Sequence, residues 1–435
     1  MGPSRIERVT AIAIAVIYGT DILRLFFSST NGEPLFEFRA LSLMIYAVTA
    51  AMLLSRPRIA AAQLRRAPLL ALLLLLPMVS MLWSASMKDT GIRAFTMLGS
   101  CLFGYYLASR YSPRELLRLL MHASTWMALL SLLLIVALPA YGVHSGESWA
   151  GTWRGAYVHK NGFGAGMAFA AGFLSLGLIY RVGGNRSGTI MALLLCFALL
   201  LGSRSATSLV AFTFSMVCVG LARLLLGPLR PLLLPGVVVI APMLLVGLVL
   251  LDADMIADFT ALLGKDASFS GRLPLWKSAW PWIEIRPWLG YGYEAFWTDA
   301  QTPVRIIMLQ IFYRPFYSHN GMIELLLSLG VLGASVFAGL LVVFTFRILR
   351  TLTVDPRGML GAMVLVFSVS FFARNVAEVS ILTRNDLVWC LFVAFYLMLV
   401  PRIAPALSHH RHGAGSRPVS LRPMAWIAAP AGRTA

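Results

Sequence analysis

Charge is scarce in this chain. Only 12% of its 435 residues are Asp, Glu, Lys or Arg, whereas 59% are hydrophobic and the mean hydropathy is +0.79. The length alone would allow two or three water-soluble domains, but that composition would leave too much apolar surface in water. Cysteine is scarce too. The four present, Cys101, Cys196, Cys218 and Cys390, fall inside apolar runs, where a thiol packs as a small hydrophobe, so no extracytoplasmic disulfide framework is expected. HExxH, CxxC, carboxylate-rich, Walker and GxGxxG patterns are missing. Neither a metal nor a nucleotide is therefore expected, and no cofactor is implied. No repeat with a period of about 20–50 residues is found.

What is abundant is apolar sequence cut into pieces of bilayer length. Runs sit near 9–27, 40–54, 68–84, 94–108, 118–139, 163–180, 189–202, 206–226, 232–251, 321–346, 358–373 and 386–400. A bilayer asks for about 20 apolar residues per helix, so the pattern predicts an all-α polytopic membrane protein of about twelve transmembrane helices. A single membrane-embedded domain over 1–407 accommodates them. The first run follows Arg5 and Arg8 and shows no small-residue cleavage site before Asp21 and Arg24, so it reads as an uncleaved helix.

The basic residues give this array a direction. With the amino terminus in the cytoplasm, alternate connections carry Arg56, Arg58, Arg65, Arg66; Arg110, Arg114, Arg118; Arg181, Arg186; Arg223, Arg230; and Arg347, Arg350, Arg357. Counting both cytoplasmic termini, that side holds about 21 of the 36 basic residues and about 3 of the 18 acidic ones. The net charge of +18 thus belongs to the cytoplasmic face of the membrane. It is scattered over short connections without an aromatic-interleaved basic domain, so lipid headgroups and not nucleic acid are the expected partner.

The other face breaks the rule of short connections. Residues 140–162 are rich in Gly, Trp and Tyr, and 252–320 form a large periplasmic loop before the tenth helix. Long loops inside a compact membrane domain usually carry function. Trp276, Trp280, Trp282, Trp288, Tyr291, Tyr293 and Trp297 crowd this one, either as headgroup anchors or as stacking partners for sugar rings. The segment 408–435, with His409-His410-Arg411-His412, reads as a disordered cytoplasmic tail.

Four outward segments combine cations, hydrogen-bonding groups and small residues: Arg154 to Asn161, Ser203-Arg204-Ser205, Ser270-Gly271-Arg272 and Ser318-His319-Asn320-Gly321. Cations from distant parts of the chain at one membrane level point to an anionic ligand; snorkelling to lipid phosphates is the plainer alternative for any one of them. Arg204 sits in a tight connection between two apolar runs, where a guanidinium can grip a phosphate with two parallel hydrogen bonds. Arg272 follows a Gly-containing stretch that lets backbone amides approach an anion, and Lys160 adds a point charge. His319 stands just before a long helix, and the unperturbed pKa of an imidazole, about 6.5, suits general-base work.

These residues, in this order, carry a resemblance. From Leu82-Trp83-Ser84 with Asp89, through Arg154 to Asn161, the Arg204 turn, Gly271-Arg272-Leu273-Pro274-Leu275-Trp276, Gly290-Tyr291-Gly292 and Ser318-His319-Asn320-Gly321-Met322-Ile323-Glu324 to Asn375, Glu378 and Trp389, the chain resembles the bacterial O-antigen ligase and polymerase superfamily. The resemblance implies about twelve helices and a polyprenyl-diphosphate-linked glycan as donor. It implies that Arg204 and Arg272 hold the diphosphate and that His319 deprotonates the acceptor hydroxyl, with inversion and without a metal. Arg154, His159, Lys160, Asn161, Asn320 and Glu378 are implied as substrate-binding residues. The segment around His159-Lys160-Asn161 looks more like the exopolysaccharide polymerase branch, whose acceptor is a growing lipid-linked glycan, than the branch that transfers to lipid A-core. A chain-length regulator is a further partner to expect. The rival of another class is a flippase or transporter of lipid-linked oligosaccharides, which should show broken helices at matching places in two halves.

Overall fold

The computed structural model describes residues 2–29, 35–55, 62–145, 150–224, 272–298, 302–355 and 358–400. The expected span at 232–251, Ser270-Gly271, Arg56, Arg58, Arg230, Arg357 and the 408–435 tail lie outside the described residues. Helices follow the apolar runs closely: α1 (Arg5–Gly19), α2 (Phe36–Leu54), α3 (Pro68–Val79), α4 (Met87–Arg110), α5 (Pro113–Ala137), α6 (Lys160–Ile179), α7 (Arg186–Gly202) and α8 (Ala206–Leu224). After them come α9 (Arg272–Ile285), α10 (Thr302–Ile311), α11 (Gly321–Val354), α12 (Met359–Ala377) and α13 (Leu387–Met398). Among the described residues the β structure is one isolated bridge, Val143 to Trp153. Among the described residues five helices, α2, α5, α6, α11 and α12, are long and apolar enough to cross a bilayer. The protein is an all-α polytopic membrane protein.

Local chemistry sets the helix ends. Ser4 with Glu7 and Ser112 with Glu115 form reciprocal capping boxes at α1 and α5, where each side chain satisfies an amide that the helix leaves open. Asn185, Asn320 and Asp386 cap α7, α11 and α13 through side-chain oxygens. The first apolar run is not one helix as the sequence pattern predicts. α1 stops at Gly19, Asp21 directs its amide to the Ala156 carbonyl, and a short helix resumes at Ile22–Phe27.

The bundle is built around α13, whose residues from Leu387 to Leu397 are all buried. α4 lies against it so closely that a Cβ on Gly104 would stand 2.3 Å from the Cys390 carbonyl oxygen. Small residues at a helix crossing permit this approach, and dispersion between the closely packed backbones is what holds membrane helices together. Aromatic rings fill the surrounding core: Trp389 stacks on Phe392, which in turn packs on Phe344 and Phe371.

α11 determines where the candidate site sits. It is not straight, since Gly330 has φ 61° and ψ −162°, a conformation open essentially only to glycine. From Val331 to Val354 the helix is already about 36 Å long, whereas the 19 residues of α12 rise only about 28 Å. His319 nevertheless meets Glu378 at the end of α12, so the limb from Gly321 to Leu329 must turn aside at Gly330. The break exposes backbone groups, and residues 287–292 satisfy them. Tyr291 and Gly292 amides donate to the Leu327 and Ser328 carbonyls, while Val331 and Leu332 amides donate to the Pro287 and Trp288 carbonyls. Broken backbone in a membrane protein persists only where protein or water supplies such partners.

Candidate active site

Several helix ends meet at one end of the bundle. The segment leading into α6 is tied to the end of α1: the Val158 amide donates to Asp21 Oδ2, and the Tyr157 hydroxyl donates to the Gly19 carbonyl. His159 caps α6, its Nδ1 accepting the Asn161 amide at 3.2 Å, and His144 Nε2 accepts the Lys160 amide at 3.2 Å. The two imidazoles lie edge to face at 5.5 Å. Beside them the tight α7–α8 turn forms as its sequence predicts, with Arg204 at φ 51°. Gly164 of α6 packs against this turn, where a Cβ would stand 2.7 to 2.9 Å from Ser205 and from the Ser203 and Ser208 oxygens.

Glu378, which caps the end of α12, is the hub. Its Oε1 accepts from the Arg272 guanidinium at 3.1 Å, and its Oε2 contacts His319 Nδ1 at 3.2 Å and accepts from the Tyr317 hydroxyl at 3.0 Å. The Tyr317 ring also packs on His319, with centroids 4.2 Å apart. Side-chain exposure is 13% for Glu378 and 11% for Arg272, but 29% for His319, so the imidazole remains reachable while its partner is enclosed.

The backbone around His319 is fixed from several sides. The Ser318 amide donates to Glu324, Trp276 Nε1 donates to the Ser318 carbonyl at 2.8 Å, and Asn320 Oδ1 accepts the Met322 and Ile323 amides. Both Glu324 oxygens also accept from Trp297 Nε1. His319 thereby holds φ 54°, an unfavourable conformation for a residue with a side chain, and is turned out of the helix that begins two residues later.

Electrostatics tie the cluster together. Burial pushes the Glu378 carboxyl up, but the hydrogen bond with His319, the charges of His319 and Arg272 and the Tyr317 hydroxyl outweigh it and hold the group below the usual carboxylate value. Burial raises the Tyr317 phenol well above its usual range, and the Glu378 charge raises it further. His159 is pushed down to about 4, mainly by burial, although Glu378 opposes this; His144, Arg272 and His319 add to the depression. The same charges that bear on the hub thus reach His159.

A cavity extends from the hub between α6, α8 and α12. Asn161, Ala165 and Ala168 line one wall, Ser205, Ser208 and Ala211 a second, and Ser370, Ala373, Arg374 and Glu378 a third, with Arg272 also contributing. Of the residues singled out in the sequence, Arg272, His319 and Glu378 are in direct contact, and Asn161 shares the cavity with two of them. Arg204 is exposed in the turn beside Ser205, with no side-chain hydrogen bond among the described residues. Others are occupied differently. Arg154 is spent on the Tyr141 and Ala140 carbonyls, the Asn320 oxygen caps α11, and the Lys160 amide is held by His144.

Tyr317, Arg374, Asp386 and His144 were not singled out. The signal for Arg374 was a cation at the end of the apolar run 358–373, where a charge is costly without a partner; that partner is Asp386, at 3.0 Å.

Comparison with known proteins finds two similarities. Residues 189–338, which include the Arg204 turn, Arg272 and His319, match the family model described as O-Antigen ligase. The exopolysaccharide production protein ExoQ of Rhizobium meliloti (strain 1021) is 24% identical over 252 residues, 56% of this chain and 58% of that protein. The chain therefore spans less than two thirds of that relative's length. With the long apolar helices, these two matches make the chain similar to membrane proteins of the O-antigen ligase and exopolysaccharide-production type.

Proposed function

We propose that this protein is a glycosyltransferase of the inner membrane that moves a polyprenyl-diphosphate-linked glycan onto a sugar hydroxyl at the periplasmic face, polymerising exopolysaccharide repeat units. The observation that carries the reading is the contact of Glu378 with both His319 and Arg272, because it joins a base to a phosphate-binding cation. With Nδ1–H directed at the Glu378 carboxylate, the imidazole is held in the tautomer whose Nε2 lone pair accepts a proton. Nε2 takes the proton of the acceptor hydroxyl as its oxygen attacks the anomeric carbon. The bond from that carbon to the diphosphate breaks, and its electron pair leaves on the diphosphate oxygen. One displacement inverts the anomeric centre. Arg272 and Arg204 offset the charge that develops on the leaving group, a role for which a guanidinium, always charged and forked, is suited. Asn161, which lines the cavity with Arg272 and Glu378, and His159, which caps the same helix, are the residues proposed to contact the glycan or its phosphates.

The test is glycan transfer by purified protein supplied with a defined lipid-linked repeat unit. His319→Ala should lower transfer by about 10²-fold or more while leaving donor affinity intact, since the arginines hold the diphosphate. Normal transfer by this variant would remove the proposed base, and donor movement across vesicles without transfer would make the protein a carrier. The matched family model is described as O-Antigen ligase, which keeps open as a second reading the transfer to lipid A-core that the sequence resemblance implies. Offering both acceptors to the same preparation separates polymerase from ligase.

A further inference from the structure

We propose that Arg374 is a third phosphate-contacting arginine and that it sets a preference for a diphosphate over a monophosphate. The proposal rests on the donor reading above and extends it to a residue that neither the family resemblance nor the sequence pattern singled out. Arg374 lies one helical turn inside Glu378 on α12, the Glu378 amide donating to its carbonyl at 2.7 Å. It lines the same cavity as Arg272 and Glu378. One guanidinium nitrogen is tied to Asp386 Oδ2 at 3.0 Å, which fixes the orientation of the group and balances its charge. The Nε–H is buried and has no acceptor among the described residues.

Buried N–H groups in native proteins are almost always paired, and a guanidinium carries only donors, so an oxygen ligand is the chemistry that completes this one. The facing walls supply further small polar groups. Asn161 stands on one side, and Ser205 and Ser208, which share a hydrogen bond at 2.8 Å, stand on the other. Glu378, which holds Arg272, follows Arg374 by one helical turn, about 5 Å of rise, so the two arginines approach the cavity from successive backbone levels. Two cations reaching it from successive levels suit two phosphoryl groups in line better than one.

Affinities of the purified protein for farnesyl diphosphate and farnesyl monophosphate in detergent test this. The wild type should prefer the diphosphate. Arg374→Lys keeps a cation for Asp386 but lacks the Nε–H; its diphosphate affinity should fall about 10-fold, its monophosphate affinity should hold, and its melting temperature should stay close to wild type. If the ion pair proves too sensitive for that substitution, the paired change Arg374→Gln with Asp386→Asn removes both charges together and should show the same selective loss. Unchanged diphosphate affinity in Arg374→Lys, or equal loss for both ligands, would overturn the assignment and leave the donor reading standing. A wild type that binds neither ligand would overturn both.

Discussion

Replacing Glu378 with Gln changes one oxygen to an amide nitrogen and leaves the volume unaltered, yet the hydrogen bonds around it predict a large loss of activity. In the wild type both oxygens accept: one faces Arg272 and the other faces Tyr317 and His319. A glutamine must choose. Arg272 is permanently protonated and has only donors to offer, so it takes the carbonyl oxygen, and the NH2 group is left facing His319 Nδ1. Nδ1 then becomes an acceptor, the ring proton moves to Nε2, and the nitrogen that should receive the hydroxyl proton already carries one. The loss should lie between the worth of a positioned base, about 10²-fold, and that of a base locked in the wrong tautomer, about 10⁴-fold. In barrier height this is about 3 to 5 kcal/mol. Single-turnover transfer from a lipid-linked donor reads the chemical step directly, and donor affinity should change by much less than turnover. Turnover within about threefold of wild type would refute the tautomer argument, whatever the affinity.

Three further outcomes are expected. Gly330→Ala should lower the melting temperature of the purified protein sharply. A methyl group there would stand 2.4 Å from the Trp288 carbonyl, and its φ of 61° adds about 1–3 kcal/mol of backbone strain; an unchanged melting temperature would contradict the kink. His159 titrates near 4 in the folded protein against about 6.5 when unfolded, so the unfolded chain takes up the extra proton in that interval and stability declines as pH falls through it. His159→Asn keeps a capping side chain and should flatten this decline in a pH series of thermal melts, whereas an identical slope would deny the role of burial. An alkaline phosphatase fusion after Asp266 should be active and one after Arg350 inactive; the reverse pair would invert the proposed orientation.

Much of the helical pattern was legible because bilayer thickness imposes a length on apolar runs that few other constraints can mimic. The run at 321–346 could be read as a helix but not as a bent one, since the bend depends on residues 287–292, which are distant in sequence and supply the missing partners. His319 and Arg272 could be singled out from residue type and from their place beside apolar runs, and the structure brings both against Glu378. Glu378 was named only through family likeness, and its position as the hub emerges from contacts spanning 106 residues to Arg272 and 59 to His319. Arg154 illustrates the opposite limit. Its charge and neighbours resemble those of a phosphate ligand, but two carbonyls of its own loop, 13 and 14 residues away, hold its guanidinium.

The stitch between residues 287–292 and the bent helix bears on how such proteins can be recombined. Because the loop carries backbone partners for α11, it cannot be exchanged as a cassette cut at the helix boundary. A chimera that takes this loop from a relative would strip donors from Leu327 and Ser328 and acceptors from Val331 and Leu332 unless the foreign loop folded back in the same register. Grafts intended to alter acceptor choice should therefore keep Pro287 to Leu332 from a single parent and place their junctions on either side of that block.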